Sequence, residues 1–182
     1  MKVENKILLF NKYMIIAGVA MFLCMFLTFL ISSDYIGTYL YGEPGGFITR
    51  ENMMYELFSF DSYMVDGYSM LQMIAPFFPI IAILPFFREK DMMTLSLVRA
   101  EKKNAYVWKK ILKYCTWTSL FMFAVYLLFE GVGLCLLSVK APQGAPRELF
   151  NDILGTTFYE NHMPLYFVLE GFLKFFIFGF VY

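Results

Sequence analysis

The chain has 182 residues, of which 59% are hydrophobic, 20% aromatic and only 16% charged, with basic and acidic residues equal in number. A soluble domain of this size would expose far more apolar surface than water tolerates, so the composition points to an all-helical, polytopic membrane protein. A formal net charge of zero gives no electrostatic preference for nucleic acid, and no nucleic-acid partner is expected.

A hydrocarbon core of about 30 Å takes about 20 helical residues to cross. Four segments satisfy that length, at about 13–31, 68–87, 114–137 and 163–182, within a single transmembrane domain over 1–182. Ahead of the first, MKVENKILLFNK sets Val3, Ile7 and Phe10 at helical spacing among Lys2, Glu4, Lys6 and Lys12. That pattern suits either a short amphipathic helix on the inner membrane surface or a frayed basic lead-in. The first span is read as uncleaved, because its apolar run exceeds that of a signal peptide and no small-x-small site follows Ile31.

Residues 32–67 carry Asp34, Glu43, Glu51, Glu56, Asp61 and Asp66 against Arg50 alone, as an outer loop would. After a turn region at 41–47, Thr49 can cap a helix with Glu51 in its first turn and Met53, Met54, Leu57, Phe58 and Phe60 on an apolar face. This segment is expected at the outer interface, with Tyr35, Tyr39, Tyr41, Tyr63 and Tyr68 forming an aromatic belt. The second span then holds Pro76, Pro79 and Pro85, each of which removes a backbone donor. They make either a static kink or a hinge.

Residues 88–113, REKDMMTLSLVRAEKKNAYVWKKILK, form a charged island between apolar runs. It holds eight of the fifteen basic residues (Arg88, Lys90, Arg99, Lys102, Lys103, Lys109, Lys110, Lys113) against Glu89, Asp91 and Glu101. A cytoplasmic loop has this bias, and Lys2, Lys6 and Lys12 before the first span agree with it. The N-terminus is therefore expected inside, with the acidic loops 32–67 and 138–162 outside.

The third span contains Glu130 and the fourth contains Glu170 and Lys174, and charges within a membrane need an explanation. Glu170 and Lys174 are spaced to pair along one helix face. Glu130, followed by Gly131 and Gly133 where water can reach, is a candidate lining residue of a pathway. Cys24, Cys115 and Cys135 lack CxxC spacing and are expected to be small buried residues, with no disulfide, metal or cofactor implied. His162, the only histidine, cannot build a zinc site. No GxSxG elbow, no phosphate-binding glycine loop and no paired intramembrane carboxylates occur, so the chain is not expected to be an enzyme. Any ATPase activity belongs to another subunit.

The island resembles the coupling segment of the membrane-spanning subunits of type-2 ABC exporters. In that family a glutamate is followed by Gly-Thr, a leucine-rich stretch, a small polar or basic turn and a lysine at the start of the third span. This chain has Glu89, Thr94, Leu95 and Leu97, then Arg99 to Lys103, and Lys109 with Lys110; Met93 stands where glycine is usual, and no proline precedes the basic turn. Methionines and leucines at 92, 93, 95 and 97, with Val98, give an adaptable apolar face for a partner's cleft.

The resemblance implies a permease subunit in a bacterial plasma membrane that docks an ATP-binding ABC subunit through Glu89, Met92, Met93, Thr94, Leu95, Leu97, Arg99 and Lys109. It implies a second permease subunit as well, alike or different, and the hinge reading of Pro76, Pro79 and Pro85, set against a static kink, would pass motion from the island to the outer half of the second span. Such subunits usually have six spans, so the chain is expected to be incomplete at its C-terminal end. The competing expectation is a non-transport scaffold or sensor whose basic loop binds membrane lipid.

Overall fold

The structure, a computed structural model, describes residues 12–32, 59–69, 98, 100, 102–139, 153, 155 and 157–181. The named elements are all helical: α1 (Lys12–Ser32), α2 (Phe60–Ser69), α3 (Lys103–Leu136) and α4 (Phe158–Asn161). A last helix is wound as α5 (Met163–Gly171), a π turn (Phe172–Ile177) and α6 (Phe178–Val181). Among the described residues three helices are long and apolar enough to cross a membrane: Met14–Ile31, Lys103–Leu136 and Met163–Val181. Of the expected second span, residues 70–87 lie outside the described residues.

In hydrocarbon every backbone and hydroxyl group needs a partner within the protein, and a helix supplies most of them. The hydroxyls of Thr28, Thr116 and Ser119 fold back onto the carbonyls of Cys24, Leu112 and Cys115 at 2.7, 2.8 and 2.8 Å. Ser59 starts α2, its Oγ accepting the Ser62 amide at 3.1 Å, and Asp61 in the first turn complements the helix dipole. Pro164 fits the first turn of α5, where an amide would have no helical acceptor. Gly155, at φ +85°, makes the turn whose carbonyl accepts the Phe158 amide.

The contacts fix the helix directions. Gly18 of α1 lies beside Phe121 and Val125, and Phe22 sets its ring edge-on to Phe129 at 5.9 Å, so α1 and α3 run parallel. Tyr63 meets Phe29 at 5.1 Å while Gly67 sits by the Met25 carbonyl and Phe129, so α2 runs against both. Gly171 packs on Tyr126, Phe172 on Phe123 and Gly179 on Ser119, which makes the last helix antiparallel to α3. The beginnings of α1 and α3 and the end of α6 therefore share one end of the bundle.

Methionine and aromatic rings fill the centre: Met21, Met25, Met64, Met122 and Met163 among Phe29, Phe60, Tyr63, Tyr126, Phe129, Tyr166 and Phe167. Tyr63 stacks on Phe129 with centroids 4.1 Å apart, and Phe60 meets Phe167 edge-on at 5.7 Å. Because lipid is as apolar as these side chains, close packing and polar bonds hold such helices together.

Three expectations change. The third helix begins at Lys103, well before Tyr114, because hydropathy marks where water ends, whereas Ala105, Lys109, Lys110 and Leu112 are good helix formers ahead of that line. Tyr63 belongs to the core rather than an interfacial belt: it is buried, and its hydroxyl donates to the Phe129 carbonyl at 3.0 Å. The cysteines are not buried, for Cys24 and Cys135 are exposed and Cys115 is half-buried. A thiol on the outer side of a span meets lipid, which accepts it as readily as a core does.

Candidate functional site

Two features stand out from the packing, a buried carboxyl in α3 and the exposed first turns of the same helix. Glu130 is 3% exposed, and neither carboxylate oxygen has a hydrogen-bond partner. It lies one turn after Tyr126, whose hydroxyl donates to the Phe167 carbonyl at 3.0 Å, and one turn before Gly133, which Phe60 and Tyr63 cover. With α3 and the last helix antiparallel, that register sets the backbone of Glu130 opposite the first turns of α5. Gly133 is thus filled by rings and offers water no opening, contrary to expectation, while the space beside Gly131 is free. A lone buried carboxyl costs several kcal/mol in an apolar medium, which sets it apart from the surrounding residues.

Glu170, in the last helix, is paired through one of its two carboxylate oxygens. Lys174 Nζ approaches Glu170 Oε1 at 2.6 Å, with the Glu170 side chain 8% and the Lys174 side chain 39% exposed. The pair anticipated from spacing therefore forms, and it bridges the junction of α5 with the π turn. Phe172 and Phe176 stack over that same turn at 5.0 Å. A π turn is rare and often marks a functional position, and nothing in the apolar pattern announced it.

Of the anticipated docking residues, Lys109 lies within the described part and is exposed on α3. Glu89, Met92, Met93, Thr94, Leu95, Leu97 and Arg99 lie outside it, as do Pro76, Pro79 and Pro85. What is described is the helical second half of the island, where the first buried residue of α3 is Tyr114. Its side chains are sorted by helical register. Val107 and Ile111 begin a stripe that continues through Cys115 to the buried Thr118, Met122, Tyr126 and Phe129. Lys109 and Lys113 begin the opposite stripe, which continues through Thr116, Leu120 and Ala124, all exposed.

The packing face of α3 thus runs on beyond the bundle uncovered, with Trp108 64% exposed beside Val107, Ile111 and Leu112. The sequence places an apolar face at 92–98, outside the described residues; continuing the α3 period backwards from Tyr114 finds a second exposed apolar face. Among the described residues no group of three or more His, Cys, Asp or Glu side chains converges to hold a metal.

Among the described residues these features define an all-helical arrangement with three helices able to span a membrane, consistent with a multi-pass membrane protein. Compared with known proteins, the chain matches no family model, no curated protein and no solved structure.

Proposed function

We propose that the chain is a permease subunit of an ABC-type exporter in a bacterial plasma membrane, its N-terminus and residues 88–113 facing the cytoplasm. A separate ATP-binding subunit docks on that stretch, and a second permease subunit completes the translocation path. The chain does no covalent chemistry; it converts movement at the docking surface into movement of its spans.

The observation carrying this proposal is the continuity of α3. Its 34 residues make a rod about 51 Å long, against a hydrocarbon core of about 30 Å. Its free end presents Val107, Trp108, Ile111 and Leu112 on the face that, deeper in, grips Tyr63 through Phe129 and Phe167 through Tyr126. A partner pushing on the free end displaces the buried part as one body. The shared end of α1, α3 and α6 collects the basic flanks, which is the arrangement favoured at a cytoplasmic surface.

Co-purification tests the proposal. An ATP-binding subunit should follow the intact protein, and Trp108→Glu with Ile111→Glu should release it and abolish ATP-dependent export from vesicles. If no such subunit associates, or if both substitutions leave export unchanged, the transporter reading is wrong. The outward lysines of α3 favour a second reading, a scaffold or sensor held to lipid. Under that reading the chain stays membrane-bound and functional with no ATPase partner.

A further inference from the structure

We infer that Lys109 and Lys113 form a binding site for the phosphate of an anionic phospholipid headgroup on the lipid-facing side of α3. The inference does not depend on the transporter reading. Three observations carry it: the direction these lysines face, their depth, and the composition around them.

Direction comes from the register. Lys109 and Lys113 are one turn apart and exposed, in line with Thr116, Leu120 and Ala124, the exposed flank of the span. That flank contacts lipid tails in a membrane, so the lysines directly above it stand over lipid headgroups. The apolar Val107 and Ile111 occupy the other side, in line with the packing face. A protein partner gripping that apolar face leaves the lysine side open.

Depth comes from helix rise. If the hydrocarbon begins at Tyr114, the first buried residue of α3, the stretch to Leu136 covers about 34 Å, enough for the core with a modest tilt. Each headgroup layer is about 5–7 Å thick, which places Lys113 at its inner edge and Lys109 at its outer edge, about 7 Å up the axis. Lys103 stands about 16 Å up and clears the layer. Both lower lysines can lay their methylenes along the helix and present their ammonium groups to one phosphate.

Composition supplies the sign. Residues 102–113 contain five lysines and no acid, so nothing on the helix itself competes for these ammonium groups. Lysine is a point-charge phosphate binder, and each one near an anionic surface strengthens binding about fivefold.

The test is native mass spectrometry of the full chain released from micelles doped with phosphatidylglycerol or with phosphatidylcholine. Wild type should retain phosphatidylglycerol preferentially. Lys109→Gln with Lys113→Gln should weaken that retention by about thirtyfold. Lys109→Arg with Lys113→Arg should keep it, and so should Lys102→Gln with Lys103→Gln, whose side chains stand above the layer. Equal retention of the two lipids overturns the site, as does an equal loss on removing Lys102 and Lys103. Displacement of the lipid by inorganic phosphate would assign the lysines to a soluble anion and overturn it too.

Discussion

The Tyr126 hydroxyl donates to the Phe167 carbonyl at 3.0 Å while the Tyr126 ring sits against Gly171, so one side chain both ties and spaces α3 and α5. Tyr63 repeats the device toward Phe129, its ring against Gly133. In each pair a glycine lets the ring approach and the hydroxyl then reaches a helix carbonyl. Small residues and interhelical hydrogen bonds of this kind are what association in lipid relies on.

Gly171→Ala should therefore destabilise the fold by about 1–3 kcal/mol, since a Cβ there meets the Tyr126 ring and the helices must part. Tyr126→Phe should cost less, about 0.5–1.5 kcal/mol, because only the hydrogen bond goes. The two should couple. In a Tyr126→Leu background the alanine at 171 should cost less than half its wild-type penalty, measured by thermal unfolding in detergent. Additive effects would mean that Gly171 is needed for another reason.

The Glu170–Lys174 pair yields a test of a different kind. Lys174→Leu strands a nearly buried carboxylate and should cost about 3 kcal/mol, whereas Glu170→Leu with Lys174→Leu should come close to wild-type stability, since well-packed apolar side chains replace an ion pair at little cost. Thermal midpoints of the single and double variants decide it. If the double variant is as unstable as the single one, the pair contributes something beyond mutual neutralisation, and the adjoining π turn is the place to look.

What could be read before the structure divides along physical lines. Met14–Ile31 and Met163–Val181 were legible because an apolar run of sufficient length must be helical in lipid whatever it packs against. The Glu170–Lys174 pair was legible because i,i+4 spacing is local. The start of α3 at Lys103 was not, since charge and hydropathy report the membrane boundary and a helix can cross it unbroken. Nor was the burial of Tyr63. A tyrosine suits an interfacial belt and a core equally, and only its long-range meeting with Phe129 and Gly133 separates the two. Glu130 was visible as an anomaly, but its burial depends on how the helices meet around α3.

The exposed apolar stripe of α3 predicts a selective loss. Under the permease reading, Trp108→Ala should weaken capture of an ATP-binding subunit by about tenfold or more, as a large aromatic anchor does at an interface centre, and leave the thermal midpoint of the isolated chain within a degree or two, because the side chain is 64% exposed. Lys109→Gln should leave capture nearly unchanged, since it faces the other way. Pull-down with the purified ATP-binding subunit compares them. Equal losses for the two substitutions would mean that charge around the whole stretch, and not its apolar side, holds the partner.

Glu130 separates stability from function. A buried carboxyl with both oxygens unpartnered is a stability defect, so Glu130→Leu should raise the thermal midpoint, by the equivalent of about 1–3 kcal/mol. If the acid is kept for transport, the same variant should export more slowly, and Glu130→Gln, which preserves shape but cannot ionise, should share most of that loss. A tenfold slowing corresponds to about 1.4 kcal/mol on the limiting barrier. The opposing directions are diagnostic, because a residue that merely fills space cannot raise stability and lower turnover when replaced. Leu and Gln variants that both export at the wild-type rate would remove Glu130 from the path and leave its burial without a transport role.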